Sequence, residues 1–112
     1  MDVDEVHRLL LSFPEVEEYE HGGLPAFRVR GKRFASMLED DSVNLMPGEE
    51  GIRAAVAEWP RWCREGWFGR RLSAVGVRFA DIDPEVLREL VTDAWGSKAP
   101  KKLVQAHRED PT

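Results

Sequence analysis

The sequence predicts an α+β two-layer sandwich in which an antiparallel sheet of about five strands carries helices on one face. Three observations support this. Apolar residues recur at helical spacing near both ends of the chain, and runs of period-two alternation lie between them. Gly-containing turn signals join neighbouring runs at hairpin spacing. Strands joined by hairpins, with helices segregated to one side, make a two-layer domain. The 112 residues suit one domain, since a chain of this length buries roughly two thirds of its unfolded surface. A single domain is therefore expected over residues 1–108, with a frayed tail at 109–112.

The elements follow in order. Val3, Val6, Leu9, Leu10 and Phe13 form one apolar stripe, so the chain opens with an amphipathic helix. Asp2, with Glu5 three residues on, matches a capping box in which Asp replaces Ser or Thr, and Pro14 helps to stop the helix. Residues 15–23 are an acidic segment that ends in the turn signal Gly22-Gly23. Three strand-like runs come next. Phe27 and Val29 alternate with Arg28 and Arg30; Phe34, Ser36 and Leu38 with Arg33, Ala35 and Met37; Val43 and Leu45 with Asn44 and Met46. Gly31-Lys32 and Asp40-Asp41 are the expected turns of this meander. Ile52, Ala55, Val56 and Trp59 mark a short helix closed by Pro60. Residues 62–67 and 72–79 give two further strands around a basic turn, Gly69-Arg70-Arg71, and Gly76 is a bulge candidate. Asp83 before Pro84 is an N-cap with Pro at the first helical position. Val86, Leu87, Leu90, Val91, Ala94 and Trp95 are the stripe of that helix, and Gly96 is its expected stop. Residues 98–108 read as a short basic tail, helical at least over residues 101–107, after Pro100.

Composition narrows the function. Trp59, Trp62, Trp67 and Trp95 can fill much of a core. No stretch approaches the roughly 18 apolar residues of a membrane span. The opening residues lack the basic and apolar regions of a secretory signal. Cys63 is the only cysteine, so no intrachain disulfide can form and a reducing cytoplasm is the simplest setting. The net charge of −5 makes non-specific polyanion binding unfavourable for the chain as a whole. The charge is uneven, however: residues 1–21 hold Asp2, Asp4, Glu5, Glu15, Glu17, Glu18 and Glu20 against Arg8 alone. Residues 60–80 hold Arg61, Arg64, Arg70, Arg71 and Arg78 against Glu65, so a local basic face is expected.

No catalytic constellation is present. There is no Gly-x-Ser-x-Gly elbow, and His7, His21 and His107 are scattered. Gly48-Glu-Glu-Gly51 and Gly66-Trp-Phe-Gly69 are not phosphate loops. Arg61 and Arg64 flank Cys63, but no histidine partners it, so it reads as a packed thiol. No catalytic residue, cofactor or metal ligand set is assigned.

Two surfaces remain as binding candidates. Arg28, Arg30, Lys32 and Arg33 belong to one hairpin and Arg70 and Arg71 to another, with Lys101 and Lys102 in the tail. Guanidinium forks suit phosphate, so these tips could grip DNA; alternating charges also simply solvate an outer sheet face. Met37 and Met46, expected on the outer face, together with Trp62 and Trp67, would suit a small molecule or a protein partner; large apolar side chains are as readily explained by packing.

Several segments together resemble the MmcQ/YjbR family. They are Ser12-Phe13-Pro14-Glu15-Val16-Glu17-Glu18 after the opening helix, the hairpin Phe27-Arg28-Val29-Arg30-Gly31-Lys32-Arg33-Phe34-Ala35, and Val43-Asn44-Leu45. Glu65-Gly66-Trp67, Asp83-Pro84-Glu85 and Ala99-Pro100-Lys101-Lys102 follow in the family's order. The resemblance covers about residues 3–104 and implies a CyaY-like fold and DNA binding through a double-wing motif. Many members carry Lys directly after the Asn-Leu pair, where this chain has Met46. The same likeness extends to frataxin-type folds. It would imply divalent-metal binding by the acidic segment with Glu15, Glu17, Glu18, Glu20 and His21, joined by Asp2, Asp4, Glu5 and His7. No recognised ligand spacing accompanies them. The leading expectation is a non-enzymatic DNA-binding domain, with a small-molecule or protein-interaction module as the alternative.

Overall fold

The computed structural model describes residues 1–109. Residues 110–112 of the expected frayed tail lie outside the described residues, whereas Glu109 is the last residue of a helix. The elements are α1 (Val3–Leu11), β1 (Val16–His21), β2 (Leu24–Val29), β3 (Lys32–Met37), β4 (Ser42–Leu45), α2 (Glu49–Glu58), β5 (Cys63–Phe68), β6 (Arg71–Arg78), α3 (Pro84–Lys98) and α4 (Lys101–Glu109). The strands form one antiparallel sheet in the order β1-β2-β3-β4-β6-β5. The helices cover one face, as a two-layer sandwich requires.

Pairing across the sheet identifies the two faces. Ala35, Leu45 and Val75 are cross-strand partners, as are Met37, Val43, Val77 and Cys63. All of these are buried beneath the helices, with Phe27, Leu10, Leu87, Val91 and Trp95. The opposite face carries the row Tyr19, Ala26, Ser36, Asn44, Gly76 and Arg64. No helix packs on it, because α1 is tied to the sheet through His7 and Glu18, and α2 through Arg53 and Glu65, both on the covered side.

The helix signals hold in detail. The Asp2 carboxylate accepts from the Glu5 N–H at 2.8 Å, and the Asp2 N–H donates to the Glu5 carboxylate at 3.1 Å. This closes the capping box. Asp83 caps α3 by accepting from the Glu85 N–H at 2.9 Å. Gly96 does not end that helix; α3 continues to Lys98. The stop is Ala99, whose extended φ and ψ of −75° and 150° reflect the clash that Pro100 would make with a helical predecessor.

Four local readings are corrected. The acidic segment is not a connection but the edge strand β1, bringing the sheet to six strands. Its Val-Glu-Glu-Tyr-Glu-His sequence lacks apolar alternation because an edge strand can be charged on both faces, which also discourages pairing with another chain. The first basic hairpin turns at Arg30-Gly31, since Val29 pairs with Lys32. Arg30 and Gly31 have φ of 52° and 78°, the paired positive values of a type I′ turn whose twist matches its strands. The bulge of β6 is at Ser73 rather than Gly76, because Gly66 pairs with Ala74 and Trp67 with Leu72. Of the tryptophans only Trp95 is fully buried, its indole N–H donating to the Pro14 carbonyl at 3.1 Å. Trp59 and Trp62 are half-buried, and Trp67 is exposed.

A second bulge positions a core residue. Phe27 pairs with Ala35 and Arg28 with Arg33, which leaves Phe34 as the extra residue of β3. A bulge lets consecutive side chains share a face. Phe34 is thereby buried in the core, while Arg33 stays with Arg28 on the open face.

Candidate nucleic-acid interface

Strand direction decides where the basic residues meet. β2, β4 and β5 run one way and β1, β3 and β6 the other. The Arg30-Gly31 and Gly69-Arg70 turns therefore lie at the same end of the sheet, separated by three strand spacings, or about 14 Å. The Ser97 hydroxyl donates to the Met46 carbonyl at 3.0 Å, which fixes the end of α3, with Lys98, at this end as well. Lys101 and Lys102 open α4 beyond it and line a shallow cleft with Arg30, Pro100, Leu103 and Ala106.

The opposite end is acidic. It gathers Asp2, Asp4 and Glu5 of α1, Glu20 beside the Gly22-Gly23 turn, and the Glu39-Asp40-Asp41 turn, with Asp81 and Asp83 before α3. Two of the arginines that fall there are partnered: Arg61 reaches Asp81 at 2.9 Å and Arg64 reaches Asp40 at 3.3 Å, whereas Arg78, at the end of β6, makes no ion pair among the described residues. Arg61 holds the Asp81 carboxyl below the ordinary range. A chain anionic in sum thus gathers its unpaired hairpin and tail cations at one end, with Glu15, Glu49 and Glu50 nearby, and most of its turn carboxylates at the other.

The two basic hairpins differ in how free their charges are. Arg28 donates to Glu17 at 2.7 Å, and its guanidinium lies 4.5 Å from the centroid of the Tyr19 ring. Arg30 makes a two-pronged contact with Glu15 through Nε to Oε1 and through Nη2 to Oε2, the latter at 3.1 Å. The hydrogen bond from Arg30 lowers the Glu15 pKa below its ordinary value. Arg28 and Arg30 therefore do not share a wet strand face as free cations; Glu17 of β1 and Glu15 just before it supply each with a carboxylate, and Arg30 sits on the turn. By contrast, Lys32, Arg33, Arg70, Arg71, Lys98, Lys101 and Lys102 make no ion pair among the described residues.

The alternative surface does not assemble. Met37 is 5% exposed and lies under the helices, paired with Val43, instead of on the outer face. The Phe34 bulge shifts the alternation of β3 and so reverses the expected facing. Met46 follows β4 and is half-buried, and Trp62 precedes β5. Trp67 points to the covered side of β5, where its indole N–H donates to Glu65 at 3.2 Å. These four residues share no single face.

The acidic segment offers no cluster of metal ligands. Glu17 and Glu18 point to opposite faces of β1, and Glu15, Glu17 and Glu18 pair with Arg30, Arg28 and His7. Among the described residues no three His, Cys, Asp or Glu gather around a common point. Burial pushes the Cys63 thiol up to about 11, the reverse of an activated nucleophile. No helix among the described residues is long and apolar enough to cross a membrane.

Sequence reading missed two contributors to this end. Lys98 was read as the start of the basic tail but not assigned to the interface, because the helix before it was expected to stop at Gly96. Phe68, 81% exposed, was passed over as part of Gly66-Trp-Phe-Gly69. Its place immediately before the turn of an edge hairpin was the available signal, since such a position has no neighbouring strand to cover it.

An open antiparallel sheet backed by helices and ending in two basic tips defines a two-layer α+β domain. The family model described as YjbR matches residues 11–97, and the chain belongs to that family. Uncharacterized protein Rv2570 of Mycobacterium tuberculosis (strain ATCC 25618 / H37Rv) is 39% identical over 67 residues, covering 59% of this chain and 52% of the relative. Uncharacterized protein Mb2600 of Mycobacterium bovis matches to the same extent. The chain thus spans about half the length of these relatives. Protein DR2400 of Deinococcus radiodurans, with a domain described as DUF419, shares the fold: the TM-score is 0.71 over 96% of this chain and 86% of that one, at 18% identity.

Proposed function

We propose that this domain is a non-enzymatic DNA-binding module of the reducing cytoplasm, which grips phosphates with the basic end of its sheet. The observation that carries this reading is the convergence of the two hairpin tips and the start of α4 at one end. Arg70 and Arg71 form one contact, Lys32 and Arg33 a second, and Lys98, Lys101 and Lys102 a third. The two tips stand about 14 Å apart, so they can reach separate phosphates of one nucleic acid. Arg28 and Arg30 act here as the internal ties of the first tip. Phosphate contacts orient a protein on nucleic acid without reading bases, so no target sequence is implied.

Titration of labelled DNA at low and moderate salt tests this. Binding at low salt that weakens as salt rises, and that the pair Arg70→Ala and Arg71→Ala weakens further, supports the proposal. Absence of binding at low salt, or indifference to those substitutions, refutes it.

A further inference from the structure

We infer that the nucleic acid taken by this basic end presents unpaired bases, and that Phe68 is the platform on which a base stacks. The inference rests on the proposed phosphate-binding reading and adds the class of strand bound. Phe68 is the most exposed of the large apolar side chains, at 81%. It closes the β5–β6 hairpin opposite Arg71, and alternation along β5 sets it on the open face with Arg64 and Gly66. Directly paired residues hold their Cβ atoms roughly 5 Å apart, so an aromatic face and an unpaired guanidinium stand side by side. That pairing suits a base and its adjoining phosphate.

The hairpin fixes this geometry. Of the turn residues only Gly69, with φ of 60°, is left-handed, the pattern of a type II′ turn that leaves little slack between the strands. Trp67, anchored to Glu65, braces the other side of the strand. No helix covers the face beyond Phe68, and its middle row is small or polar, with buried Ala26 beside half-buried Ser36 and Asn44. The Ser36 hydroxyl is buried there without a hydrogen-bond partner, and Arg33 stands at the basic end of the same face. A flexible single strand can lie along such a surface, whereas a regular duplex hides its base faces within the stack.

The test compares labelled oligothymidylate with the same strand annealed to oligoadenylate, by fluorescence anisotropy at low salt. The single strand is expected to bind about tenfold or more tightly, and Phe68→Ala should remove most of that preference. Because the ring is in solvent, this variant should keep the parent's unfolding midpoint, which is measured alongside. Equal affinity for both forms, or a preference untouched by Phe68→Ala, overturns the inference and leaves the phosphate-binding reading standing. No binding to either form overturns both. Phe68-dependent co-sedimentation with phosphatidylserine-rich vesicles, without a strand preference, overturns the inference in favour of a membrane surface.

Discussion

The β2–β3 and β5–β6 hairpins are built from the same parts and put them to opposite uses. Each has a two-residue turn containing glycine, a bulge, a phenylalanine near the turn (Phe34 or Phe68) and a set of basic residues. In the first, Phe34 is buried and Arg28 and Arg30 are held by Glu17 and Glu15. In the second, Phe68 is bare and Arg70 and Arg71 have no carboxylate partner among the described residues. The difference lies in the neighbours. β1 and the Glu15 just before it flank the first hairpin with carboxylates and β4 closes its other side, whereas β5 is an edge of the sheet. Local sequence supplies the ingredients of a site, and sheet order decides whether they are spent on the fold or left for a partner.

The two phenylalanines separate these roles most sharply. Phe34→Ala should destabilise the domain by about 3–5 kcal/mol, the usual cost of emptying a core site of that size. Phe68→Ala should change stability by no more than about 0.5 kcal/mol. Urea unfolding of the two variants measures both; similar losses would mean that the hairpins do not differ as described.

The arginines give the next contrast. Replacing Arg70 and Arg71 by Ala should lower nucleic-acid affinity and reduce the slope of log affinity against log salt by between about one and two, as expected for losing two phosphate contacts. Replacing Arg28 should alter that slope far less, since its charge is already answered by Glu17. An equal effect from both would erase the distinction between held and free cations.

A third test frees a held charge. Glu15→Gln leaves Arg30 without its carboxylate, so DNA affinity should rise a few-fold at low salt, with a salt slope steeper by about one. The pair also carries a pH signature. The folded-state Glu15 pKa is depressed, chiefly by the Arg30 hydrogen bond, so its stabilising contribution is present above the unfolded value and lost as pH falls through the folded one. Thermal melts in the acid range should show a slightly shallower pH dependence in Glu15→Gln. The contribution is small because both side chains are exposed.

The smallest effect concerns Cys63, at the start of the bare hairpin. With its thiol raised to about 11 by burial, native protein should react very slowly with a thiol reagent at mildly alkaline pH, and unfolded protein at the ordinary rate. Stability tied to this thiol is intact below the unfolded pKa and lost as pH rises toward the folded value. Fast reaction of native Cys63 would contradict its burial.

Much of the fold was legible because its signals are local. The capping box at Asp2 and Glu5, the Asp83-Pro84 start of α3 and the alternation around Val43 and Val75 all follow from spacing alone. β1 was not legible as a strand, since nothing in Val-Glu-Glu-Tyr-Glu-His announces a face; its role comes from pairing with β2. Met37 was misplaced because a bulge at Phe34 shifts alternation without a sequence mark. At the candidate interface the residue types were visible, and so was the grouping of basic residues in two hairpins. Their common end was not, because it depends on β4 pairing with β6 across the intervening α2 and β5. The carboxylates that hold Arg28 and Arg30 were hidden for the same reason as β1 itself.

Backbone amide shifts recorded while oligothymidylate is added test the division of the sheet into a gripping end and an acidic end. Perturbations should cluster at residues 31–33, 68–72 and 98–102, strongest around Phe68 to Arg71, and leave the Gly22-Gly23 and Asp40-Asp41 turns unmoved. Shifts concentrated at those acidic turns, or none at saturating oligonucleotide in low salt, would contradict it.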